Sequence, residues 1–177
     1  QELGMETVLG CSEADTETLA ARMASEVIVI GPPQAQKGYL QIATVIDAAR
    51  ESGAHAVHPG YGFLSENSEF AQGVVDGGMI FVGPSSKTIA LMGDKARARA
   101  CAAEAGVPTV PGSKGVVADV AQALKEAEAI GSPLMPKAAA GGGGRGIRIA
   151  TNADELAGEF AVATREALGA FGDGGIY

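Results

Sequence analysis

Cysteine, histidine and positive charge are all scarce in this sequence. There are two cysteines. Cys11 and Cys101 lie far apart and form neither a CxxC pair nor a metal-ligand spacing, which argues against a disulfide scaffold or a zinc site and for a reduced, intracellular setting. His55 and His58, the two histidines, are three residues apart. On a strand they would face opposite ways, so a shared metal is disfavoured, and His58 beside Pro59-Gly60 is expected to bond to backbone and hold a turn. Thirteen Lys and Arg stand against 21 Asp and Glu, for a net charge of −8. Nothing global suggests a nucleic-acid partner, and any anionic ligand must rely on a few local cations and backbone N–H groups. No run is long and apolar enough to span a bilayer, and no cationic leader opens the chain, so no membrane partner is expected. The start lacks methionine and the end lacks a tail, and both are expected to be cuts through a larger protein.

What is present suffices for a packed core: 177 residues, 46% apolar and 19% charged. Apolar runs alternate with helical patterns. Thr7–Gly10 predicts a strand and Thr16–Met23 a helix. Val27–Ile30 is a continuous β-branched run, which predicts a strand buried on both faces. Tyr39 to Ser52 repeats apolar residues at three and four, the period of an amphipathic helix. His55–His58 and Met79–Val82 predict strands, the second of them buried. Helices are expected over Asn67–Asp76, Ser86–Met92 and Asp94–Ala105, the last capped by Asp94. The alternation implies an α/β fold with a parallel, Rossmann-like sheet and helices on its faces, with ligands at the carboxyl ends of the strands. After Thr109–Gly112 the character changes. A helix over Asp119–Ile130, a glycine loop between strand-like runs at Pro133–Ala138 and Gly146–Ala150, and a helix from Asn152 predict a small α+β module. Asn152 and Glu155 resemble a capping box. The domains expected are therefore residues 1–109 and 110–177.

The glycine loop, "PKAAAGGGGRGIRIA" at Pro136–Ala150, carries the chemistry. Gly141, Gly143 and Gly146 satisfy G-x-G-x-x-G, but a dinucleotide site needs a helix to open inside the motif, and "GIRIA" alternates like a strand. A Walker loop needs G-K-[ST], and here Arg145 follows Gly144. A slack linker would carry serine between polar flanks. This run joins two strand-like segments, with Lys137 on one side and Arg145 and Arg148 on the other. Glycines let backbone approach a ligand without Cβ clashes and let N–H groups converge on phosphate oxygens. A strand–loop–strand flap over nucleotide phosphates is the physical reading preferred.

"HPGYGFLSEN" (His58–Asn67), "FVGPSS" (Phe81–Ser86), "MGDKARAR" (Met92–Arg99), "AGVPTVPGS" (Ala105–Ser113) and "KAAAGGGGRGIR" (Lys137–Arg148) occur in one order and together resemble the biotin carboxylases, the ATP-grasp components of biotin-dependent carboxylases. The resemblance covers essentially the whole chain. It implies a pre-ATP-grasp domain lacking its first strand, followed by an ATP-grasp flap domain whose remainder is absent, so that the fragment alone is expected to be inactive. It implies that MgATP and bicarbonate form carboxyphosphate, which carboxylates biotin on a carrier protein. It places ATP on Lys95, Lys137, Gly143 and Gly144, with Gly141, Gly142 and Arg145 in the flap loop, and Tyr61 in the biotin and bicarbonate pocket. Magnesium ligands are expected outside these residues. The implied partners are a biotin carboxyl carrier, a carboxyltransferase and a second copy in a homodimer. The implied compartment is the cytoplasm, with the mitochondrial matrix as the alternative. The alternative functions are a catalytically dead fragment, or part of another ATP-grasp ligase such as a carbamoyl-phosphate synthetase.

Read without the resemblance, Tyr61 fills a loop core, Lys95 is a surface lysine, Asn67 caps the next helix, and Arg97 and Arg99 lie on a solvated face. Pro136 departs from the family pattern. Proline deletes a strand N–H and is tolerated mainly at edges or bulges, which puts the placement of Lys137 in question.

Overall fold

The β-branched runs pair in parallel. The computed structural model describes residues 2–113, 115–139 and 146–177. Strand β1 (Val8–Ser12) lies beside β2 (Glu26–Gly31), with a register irregularity between Cys11 and Ser12. Between them stand a 3-10 turn at Glu13–Asp15 and a short helix α1 (Leu19–Met23). The helix expected over Thr16–Met23 is thus shorter, because Thr18 is its N-cap and accepts from the Ala21 N–H at 3.3 Å. Strand β3 (Ala56–Val57) pairs in parallel with β4 (Ile80–Phe81). Helix α2 (Ile42–Glu51) packs on β1 and β2 and on α3 (Ser68–Asp76), and α3 packs on β4.

Residues 1–90 form one unit. Its core gathers Ile46, Leu64, Phe70, Val74, Met79, Phe81 and Ile89. Phe70 and Phe81 meet edge to face at 6.0 Å, a favoured arrangement of ring quadrupoles. The parallel arrangement is as expected, but the single sheet is not: among the described residues there are two separate two-stranded sheets. Nor are β2 and β4 buried on both faces. Ile30 is 5% exposed while Val29 is 49% exposed, and Phe81 is 9% exposed while Ile80 is 66% exposed. Helices cover one face, and strand alternation leaves every second side chain in solvent.

Residues 91–177 form the second unit. The division falls between Ala90 and Leu91, inside helix α4 (Ser86–Gly93), rather than after residue 109. The reason lies in helix α5 (Lys95–Glu104), whose side chains bond forward in the chain: Lys95 to the Ala139 carbonyl and Arg99 to the Gly112 carbonyl. Helices α6 (Val120–Ile130) and α7 (Ala153–Phe171) pack together; α7 is opened by its expected cap, Asn152, and α6 by Asp119, which caps the helix rather than forming its first turn. They cover four short antiparallel segments joined by the bridges Val117–Ile176, Ala138–Ile176, Lys137–Ile147 and Leu134–Ala150. Ala138, Ala150, Ala163, Ala167, Leu156, Phe160 and Ile176 form the core. Ala163 and Ala167 are fully buried, and their small side chains let α7 lie close on the strands. Among the described residues no helix is long and apolar enough to cross a membrane.

Candidate functional site

In the second unit the stretch from Leu134 to Ala139 runs between two neighbours. On one side Leu134 and Ala150 exchange both backbone bonds, Arg148 donates to the Pro136 carbonyl at 3.0 Å, and Ala138 donates to Gly146 at 2.9 Å. On the other, Lys137 and Tyr177 exchange bonds of 3.0 and 2.9 Å, and Ala139 donates to Gly175. Pro136 is therefore interior to the ladder, not at an edge. The bond it cannot make is the reciprocal one to the Arg148 carbonyl, and the pairing on either side holds register without it. Lys137 stays in line.

Strand parity then sorts the side chains. Leu134, Pro136 and Ala138 share the face turned to α6 and α7, where Ala138 is 2% exposed. Met135, Lys137 and Ala139 share the opposite face. Across the hairpin, Ile147 and Ile149 lie on that open face at 41% and 61% exposure. Arg148 faces the helices instead, with its guanidinium bonded to Glu166 and 3.9 Å from Glu159. The grouping of Arg148 with the cations around the loop does not hold, because two carboxylates of α7 claim it. No motif singles out Met135, Ile147 and Ile149. Counting by twos outward from Lys137 and from its partner Ile147 is the signal that finds them.

Lys95 opens α5, directly after its N-cap Asp94, whose carboxylate accepts from the Arg97 N–H at 3.0 Å. The Lys95 ammonium donates to the Ala139 carbonyl at 3.1 Å. The two lysines singled out in the sequence are thus brought to the same strand end, where the glycine run begins. Lys95 is half-buried there rather than a solvated surface lysine. Gly141, Gly142, Gly143, Gly144 and Arg145 lie outside the described residues. Beyond the glycine run Gly146 has φ +67°, and a Cβ there would sit 2.8 Å from the Ala138 Cβ, so glycine is required on both conformational and steric grounds. Arg97 is exposed, but Arg99 is half-buried, with its guanidinium 3.4 Å from the Gly112 carbonyl. The solvated face expected for both holds only for Arg97. Arg99 also lines a largely apolar cavity of about 530 Å³ beside α6, with Val110, Ile130, Leu134 and Phe160.

In the first unit the loop after β3 displays Tyr61, which is 98% exposed and so does not fill a loop core. His58 holds the turn as expected: its Nδ1 accepts from the Gly60 N–H at 3.0 Å. Asn67 caps α3 by accepting from the Phe70 N–H at 2.8 Å. Phe63, with φ 45°, stacks on Tyr39 at 4.7 Å. The Tyr39 hydroxyl accepts from the Ser12 N–H at 2.9 Å and donates to Asp15 at 2.6 Å, and the Ser12 hydroxyl donates to the same carboxylate oxygen at 2.6 Å. These two donors, Ser12 foremost, hold the Asp15 carboxyl below its ordinary value. Burial first, and the bond to Asp15 second, push the Tyr39 phenol up. Burial likewise raises the Cys11 thiol. Both cysteines are free. Among the described residues no group of three or more His, Cys, Asp or Glu is placed to hold a metal ion.

Comparison with known proteins adds the family context. Residues 1–89 match the family model of the biotin carboxylase N-terminal domain, and residues 94–177 match that of the carbamoyl-phosphate synthase L chain ATP-binding domain. The chain is 45% identical to biotin carboxylase 1 of Bacillus subtilis over 177 residues, covering all of this chain and 39% of that protein. It is 48% identical to the propionyl-CoA carboxylase alpha chain of Ruegeria pomeroyi, covering 26% of it. Among solved structures, the biotin carboxylase–β,γ-ATP complex from Campylobacter jejuni superposes with a TM-score of 0.91 at 43% identity, over 99% of this chain and 40% of that one. The chain thus spans well under half the length of these relatives.

Proposed function

The chain belongs to the biotin carboxylase family, and on that premise we propose that it forms part of an enzyme that uses ATP and bicarbonate to carboxylate biotin held on a carrier protein. The observation that carries the reading is the Lys95 ammonium, 3.1 Å from the carbonyl of Ala139, two residues beyond Lys137 and next to the glycine run. This supports one anion-binding centre built from both lysines. The open face suits a nucleotide: Lys137 supplies a point charge for phosphate, and Met135, Ile147 and Ile149 offer an apolar shelf for a base. Bound there, ATP would supply the phosphoryl group that activates bicarbonate. Lys95 and Lys137 would neutralise its phosphate oxygens, where fixed charges in a water-poor site act most strongly.

The second unit would serve as the ATP-grasp flap. Gly143 and Gly144 would approach the phosphates through backbone N–H groups, with Gly141, Gly142 and Arg145 completing the loop. Tyr61 would line the biotin and bicarbonate pocket, and magnesium would be held by carboxylates outside this chain. Carrier protein, carboxyltransferase and a second copy are the partners proposed, in the cytoplasm or, as the alternative, the mitochondrial matrix. The family model matched by residues 94–177 is named for carbamoyl-phosphate synthases, which keeps a carbamoyl-phosphate-forming ligase as the second reading. Biotin-dependent ADP release in the presence of bicarbonate, measured on the full-length enzyme, separates the two. Release that ignores biotin, together with carbamoyl phosphate formation, overturns the first.

A further inference from the structure

We propose that Tyr39 is a positioning residue for Tyr61, acting through the ring of Phe63. The proposal rests on the reading above only for what Tyr61 binds. Tyr61 is 98% exposed, so its direction is set by the backbone on either side of it. That backbone is unusual. Gly60 and Gly62 have φ of 69° and 73°, and Phe63 follows at 45°. Glycine takes the left-handed region freely, whereas phenylalanine does so only when its surroundings hold it there.

Four contacts surround the tip. Gly60 is tied to His58, Ser65 donates to the Gly62 carbonyl at 2.9 Å, and Leu64 is 6% exposed in the core. The fourth is the Phe63 ring, 59% exposed and laid at 13° to the plane of Tyr39. Tyr39 is itself fixed by two hydrogen bonds: its hydroxyl receives the Ser12 N–H at the carboxyl end of β1, and donates to Asp15, which the Ser12 hydroxyl also binds. Ser12 is 1% exposed. The path runs from a buried strand end through a phenol and a stacked ring to the backbone that aims Tyr61. It joins the carboxyl end of β1 to the loop after β3, where ligands of parallel sheets sit. The strap that delivers Tyr39 depends on Gly31 (φ +143°), where a Cβ would lie 2.5 Å from the Lys37 carbonyl oxygen.

The test uses the absence of tryptophan. With Tyr61→Trp as the sole tryptophan, time-resolved anisotropy reports how firmly position 61 is held. Adding Tyr39→Leu, which removes ring and hydroxyl, is expected to increase the fast depolarisation at least about twofold while far-ultraviolet dichroism is unchanged, and Tyr39→Phe, which keeps the ring, restores most of the order. Should Tyr39→Leu not fold, Phe63→Leu removes the stack and leaves the hydrogen bonds of Tyr39 in place, with the same depolarisation expected. Unchanged anisotropy in the folded stack-breaking variant overturns the proposal. In the full-length enzyme with Tyr61 intact, Tyr39→Leu is expected to raise KM for biotin about tenfold and to leave KM for ATP within about twofold. Equal loss on both substrates means general damage and overturns it. A parent enzyme without biotin-dependent activity overturns the biotin carboxylase reading instead, and the anisotropy result still decides this one.

Discussion

The loop that shows Tyr61 and the hairpin that carries Lys137 present side chains to solvent by opposite means. Apart from one backbone bond between Ser65 and Gly62, the loop is held by side chains: an imidazole, a stacked pair of rings and a phenol wedged between a backbone N–H and a carboxylate. The hairpin base is held by backbone, with the segment from Leu134 to Ala139 bonded on both flanks. The difference predicts where each fails. The loop is vulnerable to loss of single functional groups, whereas the hairpin tolerates even a proline in its ladder and is vulnerable to added bulk where its strands close.

The sharpest way to break the comparison is Gly146→Ala. The methyl group meets Ala138 and the backbone is left-handed, so the variant is expected to lose roughly 2–4 kcal/mol from overpacking and strain combined. A urea midpoint that does not move would mean the hairpin is softer than its bonding implies. Next is Lys137→Ala, which spares the ladder and removes a charge. It is expected to leave the melting temperature nearly unchanged and to raise KM for ATP in the full-length enzyme by about tenfold or more, since a charge-assisted bond contributes roughly 1.5–3 kcal/mol. An unchanged KM would remove Lys137 from the phosphate site.

The smallest effect distinguishes the units by pH. Asp15 in the first and Glu155 in the second both have carboxyls held below their ordinary values, Glu155 chiefly by the Thr151 hydroxyl and then by the Thr151 N–H. A depressed carboxyl contributes stability that is complete above its unfolded pKa and disappears as pH falls through the folded one. Melting temperature should therefore decline below about pH 4. Asp15→Asn should flatten the part of that decline that tracks the order at position 61, and Glu155→Gln the part that does not. Identical acid limbs in parent and variants would assign the decline to other groups.

What was legible in the sequence was mostly local. Asn67, Asp94 and Asn152 each cap the helix expected of them, because a cap depends on three or four consecutive residues. His58 bonding to Gly60 is local in the same way. The residues proposed for the rest of the site come from the family motifs, and the bond from Lys95 to Ala139, two residues beyond Lys137, is the contact on which that proposal is built. What could not be read depends on distant residues. Val29 is half exposed although it sits in a β-branched run, because the burial of a strand face is decided by elements far away in the sequence. Helix α5 belongs to the second unit because two of its side chains reach far along the chain, to Ala139 and to Gly112. The stack of Tyr39 on Phe63 joins residues 24 positions apart (63 − 39), and no propensity encodes it.

The alternation that sends Lys137 outward and Arg148 toward α7 has a consequence for insertions and deletions. One extra residue directly after Gly146 would invert the phase of the returning strand: Arg148 would swing to the open side, Ile147 and Ile149 would turn inward, and Glu159 and Glu166 would lose their counter-ion together. A change in length there exchanges the two sides of the hairpin, so this short stretch has a reading frame of its own.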